Sequence, residues 1–206
     1  MRKEPSQKRS SDKVADILDA AEQLLLELPL EDITSKMIAE RAGVTRTSMY
    51  HFFPSKIDVM DALSERYHNQ LRQRIFSFFD PQKREDYHRA WIGVSDVYKQ
   101  FFEESPAAAV LLLGANGAKQ VLFGDEASEE RLANDLEQLM TRHTNLWELS
   151  KGPPPEPDFF QFVLRMMTSL FSAGIRKEGK ISKTTEDAVK KATIAYLDST
   201  ISNRQS

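Results

Sequence analysis

Apolar residues recur every three or four positions along almost the whole chain, and no segment shows the strict alternation of a half-buried strand, so the pattern predicts an all-α protein. A first helix starts after Ser11 and stops before Pro29, with Val14, Ile17, Leu18, Ala21, Leu24, Leu25 and Leu28 on one face. A longer helix over residues 56–79 carries Met60, Leu63, Tyr67, Leu71, Ile75 and Phe78. Helices over 83–104, with Tyr87, Trp91, Val94, Tyr98, Phe101 and Phe102 on one stripe, and over 106–113 follow. Gly114, Gly117 and Gly124 predict a loop, then a helix over 128–149 presents Leu132, Leu136, Met140, His143 and Trp147, and Pro153, Pro154 and Pro155 make a stiff connector.

The last two predicted helices differ from the others. Over 157–173, Phe159, Val163, Met166 and Leu170 occupy one face, while Phe160, Leu164, Met167 and Phe171 occupy a second, and a helix apolar on two sides needs two partners. Over 184–202, Ala188, Ala192, Ala195 and Ser199 form a ridge of small residues that permits close helix approach. The economical arrangement is a homodimer in which each copy contributes these two helices to a four-helix interface. The apolar run 159–175 is too short and, with Gln161, Arg165, Thr168 and Ser169, too polar for a membrane span, so no membrane partner is expected.

The densest signal lies in residues 34–53, TSKMIAERAGVTRTSMYHFF. Ile38, Ala42, Val44, Met49 and Phe52 supply buried contacts, Ala39 is small enough for a second helix to approach closely, and Gly43 permits the positive φ of a sharp turn. Thr34 and Thr45 stand where two short helices need N-caps, and Pro54 ends the second of them. This is the pattern of a helix-turn-helix, whose second helix enters the DNA major groove. The polar positions that packing leaves free there are Thr45, Arg46, Thr47, Tyr50 and His51. Arg46 matches the guanine edge or a phosphate, Thr47 a thymine methyl or a base edge, and Tyr50 and His51 phosphates. Thr34 and Ser35 at one helix start, and Ser55 and Lys56 at the next, are placed for further phosphate contacts.

Residues 34–58, through Ile38-Ala39, Ala42-Gly43-Val44, Tyr50 and Phe53-Pro54-Ser55-Lys56, resemble the DNA-binding signature of the tetracycline-repressor (TetR) family. The resemblance implies an all-helical homodimer of about nine helices, with an N-terminal three-helix head and a C-terminal domain for ligand binding and dimerisation. It further implies a regulator, a repressor in the leading case, released from a palindromic operator by a small apolar or aromatic effector. The corresponding division is a basic flexible arm over 1–10, a head over 11–55 and a body over 56–206.

Composition refines this picture without redirecting it. The 206 residues, 40% hydrophobic and 29% charged, suit a globular protein with a real core. No cysteine is present, which excludes disulfides and thiolate metal sites and accords with a reducing, cytoplasmic setting. The net charge of −3 hides a local bias: Arg2, Lys3, Lys8, Arg9 and Lys13 face only Glu4 and Asp12 at the N-terminus, an arm suited to the phosphate backbone or to plain solvation. Of the four histidines, His51 lies on an outer helical face with no carboxylate or second histidine at metal-ligand spacing, and His88 and His143 lie on or beside apolar stripes as core residues or as groups that orient a ligand; no metal or cofactor is expected, and no nucleophile or phosphate-loop motif points to an enzyme. Trp91, Tyr98, Phe102, Met140, His143, Trp147 and Met167 are the candidates to line an effector cavity between helices, although periodicity does not distinguish a cavity from a filled core. A different class of function keeps the DNA-binding head but makes the body a scaffold for a protein partner, with no small-molecule effector.

Overall fold

A computed structural model describes residues 4–115, 126–150 and 158–202, and among these the chain forms ten α-helices and one 3-10 turn. The helices are α1 (Glu4–Glu27), α2 (Ser35–Arg41), α3 (Arg46–Phe52), α4 (Lys56–Phe78), α5 (Tyr87–Glu104), α6 (Pro106–Leu113), α7 (Glu126–His143), α8 (Leu146–Ser150), α9 (Phe159–Glu178) and α10 (Lys183–Ser202), with the 3-10 turn at Leu30–Asp32. The all-α expectation holds: the one bridge of β type among the described residues joins Glu85 to Thr144. The loop at Gly117 and Gly124 and the connector at Pro153, Pro154 and Pro155 lie outside the described residues.

Two elements depart from the sequence pattern. The first helix begins at Glu4 and not after Ser11, so residues 4–10 are the opening turns of α1, where an acid at Glu4 and a proline at position 5 suit a helix N-terminus. The segment expected over 128–149 is two helices, α7 and α8. The break falls at Thr144 and Asn145, whose side chains bond the backbone of α7, α8 and α5. Thr144 Oγ1 donates to the Met140 carbonyl at 2.5 Å and accepts from Leu146 N at 3.2 Å, and Asn145 Oδ1 accepts from Tyr87 N at 3.0 Å. Arg84 closes the gap by donating twice to the freed Thr144 carbonyl, at 3.0 and 2.8 Å.

The head packs around Ile17, Ala21, Leu24, Ile33, Ile38, Ala39, Met49, Val59 and Leu63, all buried, with Ala42, Val44 and Phe52 half-buried against them. Helices α1 and α4 run antiparallel, because Lys56 at the start of α4 meets Leu30 just beyond the end of α1, while Arg66 further along α4 bonds Asp19 and Glu22. The basic opening turns of α1 therefore lead away from the start of α4, and α1 packs also on α6.

In the body, Tyr67, Leu71 and Ile75 of α4, and Trp91, Val94, Tyr98 and Phe101 of α5, are buried as their spacing predicts. At the end of α4 the order shifts: Phe79 is buried and Phe78 is 37% exposed, its ring seated over Gly93. Helices α9 and α10 pack closely at Gly174, where a β-carbon would stand 2.3 Å from Thr185 Oγ1. Both apolar faces of α9 are represented in the core by Phe159, Val163, Phe160, Leu164, Met167 and Phe171, while Met166 and Leu170 are half-buried and Phe162 is 52% exposed.

Candidate DNA interface and effector site

The head presents α3 because its neighbours are closed off by their own sequence. Thr34 caps α2 by accepting from Met37 N at 3.2 Å, and Thr45 caps α3 by accepting from Ser48 N at 3.1 Å. Between them Gly43 has φ 66°, and two bonds end α2 in a Schellman arrangement: Gly43 N to the Glu40 carbonyl at 3.2 Å and Val44 N to the Ala39 carbonyl at 3.0 Å. A β-carbon added to Gly43 would meet open space, so backbone conformation, not crowding, requires glycine there. Ser55 caps α4, accepting from Ile57 N at 3.1 Å and Asp58 N at 3.4 Å and donating to Asp58 Oδ2 at 2.6 Å.

With Met49 fully buried beneath it, α3 turns Arg46, Thr47, Tyr50 and His51 outward, all exposed, and Thr34 and Thr45 are exposed beside them. Ser35 is half-buried at the start of α2. Arg46 makes no hydrogen bond or ion pair among the described residues, whereas Lys36, Arg41, Lys56 and Arg66 around it are engaged. Arg41 forms a two-pronged pair with Glu27 at 2.7 Å on each arm, Lys36 lies 3.7 Å from Glu40, and Arg66 reaches both Asp19 and Glu22. Lys56, expected to face phosphate, is half-buried and donates to the Leu30 carbonyl at 3.0 Å and the Glu31 carbonyl at 3.4 Å.

The aromatic residues of the body fall into connected groups. Trp91 and Trp147 both contact Phe160, with centroids 6.5 and 6.3 Å away, and Tyr98 packs on Phe102 at 5.0 Å and stacks on Phe171 at 5.8 Å. Met140 and Met167 are fully buried, while Trp147 is half-buried. His143, also half-buried, faces Phe79 at 5.7 Å, beside the turn between α4 and α5. The polar ends have partners within the protein: Trp91 Nε1 donates to Thr193 Oγ1 at 2.7 Å, Trp147 Nε1 to Thr141 Oγ1 at 2.7 Å, and the Tyr98 hydroxyl lies 2.5 Å from Thr168 Oγ1. Burial pushes the Tyr98 hydroxyl above the ordinary phenol range and the half-buried His68 below the ordinary histidine value.

Thr168 and Thr193 are participants that sequence reasoning did not single out. For Thr193 a signal existed: it occupies the stripe of Val189 and Leu197 on α10, a polar residue on an apolar face. Its hydroxyl bonds back to the Val189 carbonyl at 2.8 Å while receiving the Trp91 indole.

Residues 17–63 match the family described as bacterial regulatory proteins, tetR family. Over 123 residues the chain is 25% identical to the nucleoid occlusion factor SlmA of Glaesserella parasuis, a stretch covering 59% of this chain and 57% of that protein. Over 91 residues it is 32% identical to the HTH-type transcriptional regulator EthR of Mycobacterium tuberculosis, covering 44% of this chain and 42% of that one. The matched stretches thus span 57% and 42% of the lengths of these two curated relatives. In three dimensions it resembles a TetR-family transcriptional regulator from Streptomyces coelicolor with a TM-score of 0.67 at 20% identity, over 91% of this chain and 99% of that one. Residues 17–63 thus match a tetR-family DNA-binding head, and the described helices share the fold of a solved TetR-family regulator.

Proposed function

We propose that this protein is a homodimeric, sequence-specific DNA-binding regulator, a repressor in its simplest form, that leaves a palindromic operator when a small apolar or aromatic effector binds its body. The observation that carries this reading is the outward row of Arg46, Thr47, Tyr50 and His51 on a helix whose opposite side is locked into the head by Met49. Exposed side chains on a wedge anchored from behind suit base-edge and phosphate contacts. Thr34, Ser35 and Thr45 add hydroxyls at the margin of the same surface, since a capping oxygen that accepts from the backbone keeps its own hydrogen to donate. In this reading residues 11–55 form the DNA-binding unit, and residues 56–206 carry effector binding and dimerisation. Copies pair through α9 and α10, where Phe162, Ala188, Ala195 and Ser199 are exposed.

Two recognition helices must stand about 34 to 36 Å apart to engage successive major grooves. An effector seated near Trp91, Tyr98, Phe102, Met140, His143, Trp147 and Met167 would tilt α4 and change that spacing, so ligand and DNA oppose one another by linkage. The test is enrichment of duplexes from a random-sequence pool on the full-length protein, followed by gel shift at moderate salt. Absence of any enriched duplex removes the proposal.

One observation favours a second reading, a DNA-bound scaffold that recruits a protein partner. An open groove of about 770 Å³ runs between α4 and α5, lined by Gln70, Gln73, Arg74, Ser77, Phe78, Val97 and Gln100. Phe76, Phe78 and Ile92 are exposed apolar residues on the same two helices, and the SlmA relative is named for nucleoid occlusion, not for an effector. A thermal-shift screen in which no hydrophobic compound stabilises the protein would move the conclusion to this reading.

A further inference from the structure

We propose that Lys56 is a positioning residue for DNA reading and not a phosphate ligand, an inference that rests on the DNA-binding function just described. Lys56 is the first residue of the 23-residue α4, where the helix dipole disfavours an ammonium group. Its side chain turns away from that positive end toward the backbone carbonyls of the 3-10 turn. It donates to the Leu30 carbonyl at 3.0 Å, which also accepts Ile33 N at 3.3 Å, and to the Glu31 carbonyl at 3.4 Å.

The position of this stitch matters more than its strength. Leu30 and Glu31 lead through the buried Ile33 into Thr34, the cap of α2, and Lys56 itself follows Ser55, the cap of α4. Helix α3 lies between those two helices in the chain, so one ammonium group ties together the segments that enter and leave the helix-turn-helix. With Arg41, Lys36 and Arg66 also held by carboxylates, Arg46 is the cation that α3 offers freely to DNA.

The test uses Lys56→Met and the milder Lys56→Gln in the full chain. Without DNA, amide hydrogen exchange at Asp32 and Ile33 is expected to quicken by roughly three- to tenfold, as loss of a charged hydrogen bond loosens a surface turn. Unchanged exchange there overturns the proposal. With DNA, binding is measured on a duplex selected by the wild-type protein and on a scrambled duplex, from about 50 to 300 mM salt. The expected result is a loss of about tenfold on the selected duplex, little change on the scrambled one, and an unaltered slope of log affinity against log salt. Equal weakening on both duplexes, with the slope reduced by about 0.9 for each head, makes Lys56 a phosphate ligand instead. If the wild-type protein selects no duplex, the DNA-binding reading fails, while the exchange measurement still decides whether Lys56 holds the turn.

Discussion

Arg46 is exposed and unpaired among the described residues, while Lys56, ten positions on, is half-buried and spent on backbone carbonyls. On the proposed function, that contrast separates a side chain free to read DNA from one that shapes the reader. Replacing Arg46 by Ala should weaken operator binding by about 1 to 3 kcal/mol and relax preference at one position of each half-site if it forks onto a guanine. Anisotropy titrations on singly substituted operators check this; uniform weakening across every duplex would assign Arg46 to phosphate. The caps Thr34, Thr45 and Ser55 and the positive-φ Gly43 were legible in the sequence because each is a local event, decided within three or four residues. The fate of Lys56 was not, since its acceptor lies 26 positions earlier in the chain and nothing near Lys56 points to it.

Among the elements, α10 is held by two devices of different chemistry, one against α9 and one against α5. Gly174 admits Thr185 so closely that Gly174→Ala would force a β-carbon within 2.9 Å of the Thr185 β-carbon, a branched side chain that cannot swing clear. The expected loss is about 1 to 3 kcal/mol of stability, read as a lower urea midpoint; an unchanged midpoint would show that the two helices separate freely. The second device joins α10 to α5. The buried Glu186 accepts from Lys190 at 2.7 Å and Lys183 at 3.1 Å and lies 3.4 Å from Lys99, while Lys190 also pairs with Asp96. The bond from Lys190, opposed by burial and reinforced by the other lysines, lowers the Glu186 carboxyl from 4.5 to about 2. Its contribution is complete above the ordinary carboxylate range and is lost as pH falls toward 2. Glu186→Gln should therefore flatten the fall in melting temperature between about pH 5 and pH 2; an acid limb as steep as the wild type's would remove Glu186 from the account. The helices themselves were legible from apolar spacing, but the break between α7 and α8 was not. Its causes, Arg84 and the backbone of Tyr87, lie some 60 residues before the break.

For the whole molecule, the head reads directly from the sequence because its template packs within one short stretch, whereas the body does not. The apolar stripes are buried much as spacing predicts, Trp91 and Tyr98 on α5, Leu136 and Met140 on α7, Phe160 and Phe171 on α9. Yet the partners that satisfy their polar ends, Thr193 and Thr168, come from helices about 70 to 102 positions away. Dimerisation belongs to this scale as well. Phe162→Glu places a charge on the exposed face of α9 and should convert a dimer to a monomer in light scattering, with the helical content unchanged, because Phe162 contributes little to the monomer's core. A dimer of unaltered mass would place the twofold interface elsewhere.

The central claim is that α3 reads DNA as one of a twofold-related pair, and operator spacing tests it most directly. A duplex enriched by the full-length protein is compared with the same duplex lengthened by half a helical turn between its half-sites, with anisotropy measured at moderate salt. The account predicts tight binding to the first and a loss to the level of non-specific duplex on the second, since the insertion turns one recognition surface to the opposite side of the helix. Equal affinity for both, or no enriched duplex at all, would contradict it.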